Sequence, residues 1–186
     1  MKDDIAYCRL IDSLQDPDDP LFGGSLAYLT IEQNLSMVIK LMKIKLKKPS
    51  AESSFYEKTI LLCSSVIPFS HAMITEDGEI FKKLRKEEDP SKKDLIVEDI
   101  FPKSLAFLSN LCLISDFLDK LVKNTSSSIK NDYIMIKDNI NCCFYNLASI
   151  LTFEVRKLSK ESRRLELNEK IVTLVMKQRA KELKGE

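Results

Sequence analysis

Tryptophan is absent from this 186-residue chain, histidine occurs once and glycine four times. Each scarcity removes a class of function. A single histidine, His71, cannot complete a Cys/His zinc set, and no C-x-x-C pair stands among the five cysteines. Four glycines leave neither G-x-x-x-x-G-K nor G-x-G-x-x-G, so no loop is built to cradle a phosphate. Strands joined by tight turns need more glycine than this, which argues against an all-β or Rossmann-like fold. No E-x-x-H pairs a carboxylate with His71, and the acidic stretch Asp16–Asp19 lacks the alternating ligands and terminal Glu of a calcium loop. As a general base His71 would need a nucleophile and an orienting acid. Ser70 is its chain neighbour, which is poor geometry, so His71 reads as a buried, hydrogen-bonded structural histidine.

Charge is also missing, in three helix-length runs: Thr59–Thr75, Ser104–Ser115 and Asn139–Phe153. Charged amphipathic segments separate them. A helix apolar all round sits inside a protein and one-sided helices sit around it, so the expected fold is all-α with a buried centre. A chain of this length buries roughly 70% of its unfolded surface and needs no disulfide or metal. The cysteines Cys8, Cys63, Cys112, Cys142 and Cys143 are odd in number and mostly lie in apolar runs, as free core thiols do. Cys142 and Cys143 point about 100° apart on a helix, so at most one is exposed. Met1-Lys2-Asp3-Asp4 leads into no apolar signal region. The longest uncharged run, 17 residues cut by Pro68, falls short of a membrane span. The expectation is an intracellular protein, cytoplasmic or nuclear, with no membrane span.

Asp3–Leu14 reads as a short first helix, broken at Asp16-Pro17-Asp18-Asp19-Pro20, with Gly23-Gly24 completing the loop. Ser25 caps a helix to Lys47 with the stripe Tyr28, Ile31, Leu35, Val38, Ile39, Met42 and Leu46. A helix from Ser50 or Ser53 runs to Ile67, where Pro68 ends or kinks it. Thr75-Glu76-Asp77-Gly78 reads as a turn, Glu79–Lys86 as a short helix or hairpin, and Glu87–Asp94 as an exposed loop. Ile96–Phe101 is a brief element, and Pro102–Lys123 is a helix with proline in its first turn. After the linker Asn124–Ser128, Lys130–Lys157 carries Tyr133, Ile136, Ile140, Phe144, Leu147, Leu151, Val155 and Leu158 at steps of three and four. Ser159 caps a last helix, Lys160–Lys184, with Leu167, Ile171, Leu174 and Val175 inward. The chain thus reads as one domain: 1–24 an acidic first helix and loop, 25–158 a helical core, 159–186 a basic C-terminal helix. Five to seven helices form a compact bundle or a short helical array.

Phe107-Leu108-Ser109-Asn110-Leu111-Cys112 and Phe144-Tyr145-Asn146-Leu147-Ala148 both place an aromatic before Asn-Leu-small inside an apolar run. This resembles the third helix of armadillo-type repeats, although the spacing of 36 residues is shorter than the about 40–47 of armadillo and HEAT units. The resemblance implies a helical scaffold that binds another protein along one face. The uncharged central runs are also compatible with a Bcl-2-like helical bundle, which implies a groove for a partner helix. That family's Asn-Trp-Gly-Arg motif is absent here.

The charges are unevenly placed. Residues 1–32 hold seven acids against Lys2 and Arg9, and residues 156–186 hold ten bases against five acids. Lys40, Lys43 and Lys47, with Arg163, Arg164 and Lys170, are the only candidate phosphate contacts for a nucleic-acid-binding alternative. No aromatics interleave the lysine run for base stacking. The last helix carries apolar residues beyond its inward stripe, namely Leu165, Val172 and Met176, as a helix does when it packs on its own body and on a partner. The leading expectation is a non-enzymatic protein-interaction or scaffold module in a larger complex, binding another protein through a helix or helical face. No catalytic, cofactor-binding or metal-binding residue is assigned, and nothing points to a small-molecule ligand.

Overall fold

A computed structural model describes residues 23–48, 50–125 and 129–185. The described residues are 91% helical and contain no strand. The helices are α1 (Gly23–Leu46), α2 (Ser53–Lys86), α3 (Pro90–Asn124), α4 (Ile129–Val155) and α5 (Glu161–Gly185). The expected first helix, Asp3–Leu14, lies outside the described residues.

Short connections make consecutive helices neighbours. α1 packs on α2, α2 on α3, α3 on α4, and α4 returns to α1. Those four close a ring around one core, and α5 docks outside it against α3 and α4. The apolar spacing explains the ring. Every member of the stripe from Tyr133 to Leu158 is buried, seven of them on α4 and Leu158 just beyond its end, and so are Tyr28, Ile31, Leu35, Val38 and Met42 of α1. Tyr28, Phe69 and Phe107 meet with centroids 5.0–6.1 Å apart and tie α1, α2 and α3 together. In the two Asn-Leu segments Phe107, Leu111, Phe144 and Leu147 are buried, whereas Asn146 is exposed.

Both internal prolines are carried through helix, so Pro68 does not end α2 and Pro102 does not begin α3. α2 continues past Pro68 and through Thr75–Gly78 to Lys86, and α3 continues past Pro102. An interior proline costs about 3 kcal/mol. Burying one Val, Ile or Met recovers roughly 1.5–3 kcal/mol. Val66 and Met73 flank Pro68, and Ile100 and Phe101 flank Pro102, all buried, so packing outweighs the lost backbone bond. The exposed loop is correspondingly short. Asp89 is the N-cap of α3, its carboxylate accepting from the Ser91 N–H at 2.9 Å, and Pro90 occupies the first turn. The first-turn proline is thus Pro90, not Pro102.

Helix α2, made continuous across Pro68, contains an 18-residue window of mean hydropathy 1.2, 28% of it buried. It is long and apolar enough to cross a membrane by length and composition, as the core helix of a soluble protein also can be. Its exposed positions include Glu57, Lys58, Ser64, Ser65 and His71.

Candidate partner-binding face and a buried carboxylate pair

Helix α5 has two faces. The inner one carries Leu167 and Ile171, both buried, with Leu174 and Val175 half-buried, but much of its docking is polar. The Gln178 amide donates to Ser115 Oγ and to Asn141 Oδ1, each at 3.2 Å, and Ser115 Oγ donates to Asn141 Oδ1 at 3.0 Å. Lys181 pairs with Asp116 at 2.6 Å, and the Tyr145 hydroxyl donates to Glu182 at 2.8 Å. Ser159, expected to cap α5, instead donates its N–H to Asp94 of α3 at 2.8 Å. Hydrogen bonds are directional, so this network fixes the rotation of α5 on the bundle.

That rotation turns the outer face to solvent. Leu165, Val172 and Met176 are 64%, 57% and 59% exposed, and Leu183, not singled out from the sequence, is 69% exposed. The four lie on one line, because separations of seven, eleven and eighteen residues all return to the same side of a helix. The signal for Leu183 was available in this spacing.

The basic residues fall into two separate groups. Lys40, Lys43 and Lys47 are exposed on α1 and just beyond it. On α5, Arg163 pairs with Glu98 at 3.2 Å and also with Glu166, and Lys170 pairs with Glu166 at 2.7 Å. Arg164 donates to the Leu158 carbonyl at 3.2 Å. Lys170 and Arg163 together hold the Glu166 carboxyl below the usual range. Among the described residues no Cα of α1 comes within 8 Å of one in α5, and no ion pair joins the two groups.

A second site is assembled from residues far apart in the sequence. Asp77, placed in a turn by its neighbours, sits on α2 only 7% exposed and faces the start of α1. The Ser25 backbone N–H donates to its carboxylate. The first turn of α1 has no acid of its own, so Asp77 supplies the negative charge that a helix N-terminus favours. Gly23 and Gly24 are therefore helical, not loop. A Cβ on Gly24 would overlap the Asp77 carboxylate, which is why glycine stands there. Burial outweighs the Ser25 N–H and pushes Asp77 up to about 6. Glu154 on α4 is pushed up to about 7 by burial and then by the Asp77 charge. Burial and the same two carboxylates raise the Tyr28 hydroxyl. An open cavity of about 320 Å³ lies over the pair, lined by Gly23, Gly24, Phe81, Ile150 and Phe153 among others. The pair can take up and release a proton near neutral pH.

His71 is exposed rather than buried, with Nδ1 3.2 Å from Glu32. The turn read at Thr75–Gly78 is helix, and on that continuous helix the ring lies on the solvent side. Cys142 is exposed and Cys143 buried, and the described cysteines are all free thiols. Burial pushes Cys63 up to about 12 and Cys112 and Cys143 up to about 11, so these three are poor nucleophiles at neutral pH. Among the described residues no three His, Cys, Asp or Glu side chains converge as a metal-binding group. Neither a family model nor a characterised protein matches the chain.

Proposed function

We propose that the chain is a non-enzymatic α-helical interaction module of a larger intracellular assembly, and that it binds another protein through the outer face of α5. The observation that supports this reading is the line Leu165, Val172, Met176 and Leu183, four large apolar side chains each more than half exposed on a helix whose other face is already docked. Scattered exposed apolar residues are ordinary, but an aligned set is the usual mark of a recognition surface. The polar inner network supports it further, because it orients α5 without using those residues.

A nucleic-acid reading draws on Lys40, Lys43 and Lys47, which are exposed and make no ion pair among the described residues. The two are separated by affinity capture from the native cells with and without nuclease. Serine at Leu165, Val172 and Met176 should abolish nuclease-resistant capture of a protein while leaving the helical circular dichroism and melting unchanged. Capture that survives those substitutions, or that disappears with nuclease and with Glu at Lys40, Lys43 and Lys47, would overturn the reading.

A further inference from the structure

We propose that the partner seated on the outer face of α5 is the same helix of a second copy, packed antiparallel about a two-fold axis at position 174. This rests on the outer face being a recognition surface, and it names the occupant. The line of apolar residues is part of a longer pattern. Positions 165, 169, 172, 176, 179 and 183 are separated by four, three, four, three and four residues, the spacing of a coiled-coil seam. They read Leu, Glu, Val, Met, Arg, Leu, with the two charges placed symmetrically about residue 174.

An antiparallel pair centred there sets Leu165 against the other copy's Leu183, and Val172 against Met176. It also sets Glu169 against Arg179. Each of the six seam positions thereby meets a partner of matching chemistry, and the contact is the same on both copies, as a two-fold interface requires. A parallel pair would instead stack Glu169 on Glu169 and Arg179 on Arg179. Opposite charges across a seam choose the orientation in just this way.

Arg163, Glu166, Lys170, Lys181 and Glu182 are engaged within the chain by ion pairs or hydrogen bonds. Glu169 and Arg179 are both exposed, and neither makes an ion pair among the described residues. Glu161 and Lys177 are also exposed and make no ion pair among the described residues, but of these unpaired charges only Glu169 and Arg179 fall on the seam, where the dyad brings them together. From Leu165 to Leu183 the seam is about 27 Å long, a short contact that belongs with weak, concentration-dependent association.

Sedimentation equilibrium of the full chain, from roughly micromolar to a few hundred micromolar, tests this. The wild type should pass from monomer to dimer. Val172→Glu should be monomeric throughout. Glu169→Arg sets Arg against Arg across the dyad and should weaken the dimer at least about tenfold, as should Arg179→Glu. The double variant Glu169→Arg/Arg179→Glu restores opposite charges and should recover the wild-type constant. The loss on either single reversal, undone in the double variant, marks the antiparallel register, since a parallel pair has like facing like before and after each reversal. A chain that is monomeric throughout, or a dimer indifferent to the single reversals, overturns the proposal. If a monomeric chain still captures a different protein through Leu165, Val172 and Met176, only the self-pairing falls and the interaction-module reading stands.

Discussion

Replacing Asp77 by Asn should stabilise the protein, and only above acid pH. The carboxyl is displaced from its ordinary 3.8 to about 6 by burial. Between those values the folded chain holds a proton that the unfolded chain has released. The folded state then binds more protons, so its stability falls as pH rises through this window and is constant above it. A displacement of about two pH units is worth roughly 3 kcal/mol. Asparagine keeps an oxygen to accept from the Ser25 N–H but carries no charge, so it escapes the penalty. The variant and the wild type should be equally stable near pH 4, diverge between pH 4 and 6, and differ by about 3 kcal/mol at pH 8. For a chain of this size that is about 6–12 °C in melting temperature. Urea unfolding followed by circular dichroism at half-unit pH steps measures it. Glu154 adds a loss of the same sign, extending to about pH 7, and removal of the Asp77 charge should ease it. If the Asn variant is less stable than wild type at pH 8, the ionised carboxylate is a net stabilising cap. The ranking of burial over helix-terminus attraction would then be wrong.

Three further perturbations follow from the packing. Phe144→Ala, in the middle of the α4 stripe and 1% exposed, should cost about 3–5 kcal/mol in denaturant unfolding, and a loss under about 1 kcal/mol would contradict the ring of four helices. Gly24→Ala should cost about 1–3 kcal/mol by pushing the Asp77 carboxylate off the α1 terminus, and much of that cost should vanish in an Asp77→Ala background. Tyr133→Phe removes a hydroxyl that is buried without a hydrogen-bond partner among the described residues. It should leave stability unchanged or raise it by about 1 kcal/mol, and a loss above about 1 kcal/mol would reveal a bond to that oxygen.

Residue spacing made the packed faces legible. The steps of three and four picked out seven residues of α4 and Leu158 just after it, all of them buried, and Leu111, Ile140, Phe144, Leu147 and Leu151 are core as the uncharged runs implied. The outer face of α5 was legible for the same reason, since Leu165, Val172 and Met176 could not share a side with Leu167 and Ile171. The breaks were less legible. Pro68, Pro102 and Glu76-Asp77-Gly78 each satisfy a local rule for ending a helix. Local rules do not weigh the burial of Val66, Met73, Ile100 and Phe101 on either side of them. The carboxylate pair was hidden for a different reason. Asp77 becomes a buried cap only because Gly24, fifty-three residues earlier, leaves room for it, and Glu154 joins from a third helix. No window along the chain contains that arrangement.

The outer face of α5 is proposed as the surface through which this protein meets another. A photo-crosslinking amino acid at position 172, installed in the chain in its native cells, reads that face directly, with controls at the buried position 167 and at Lys43. A protein adduct is expected from position 172 and none from 167, and the mass of the adduct distinguishes a second copy from another chain. No protein adduct at 172, together with a nucleic-acid adduct at Lys43, would contradict it.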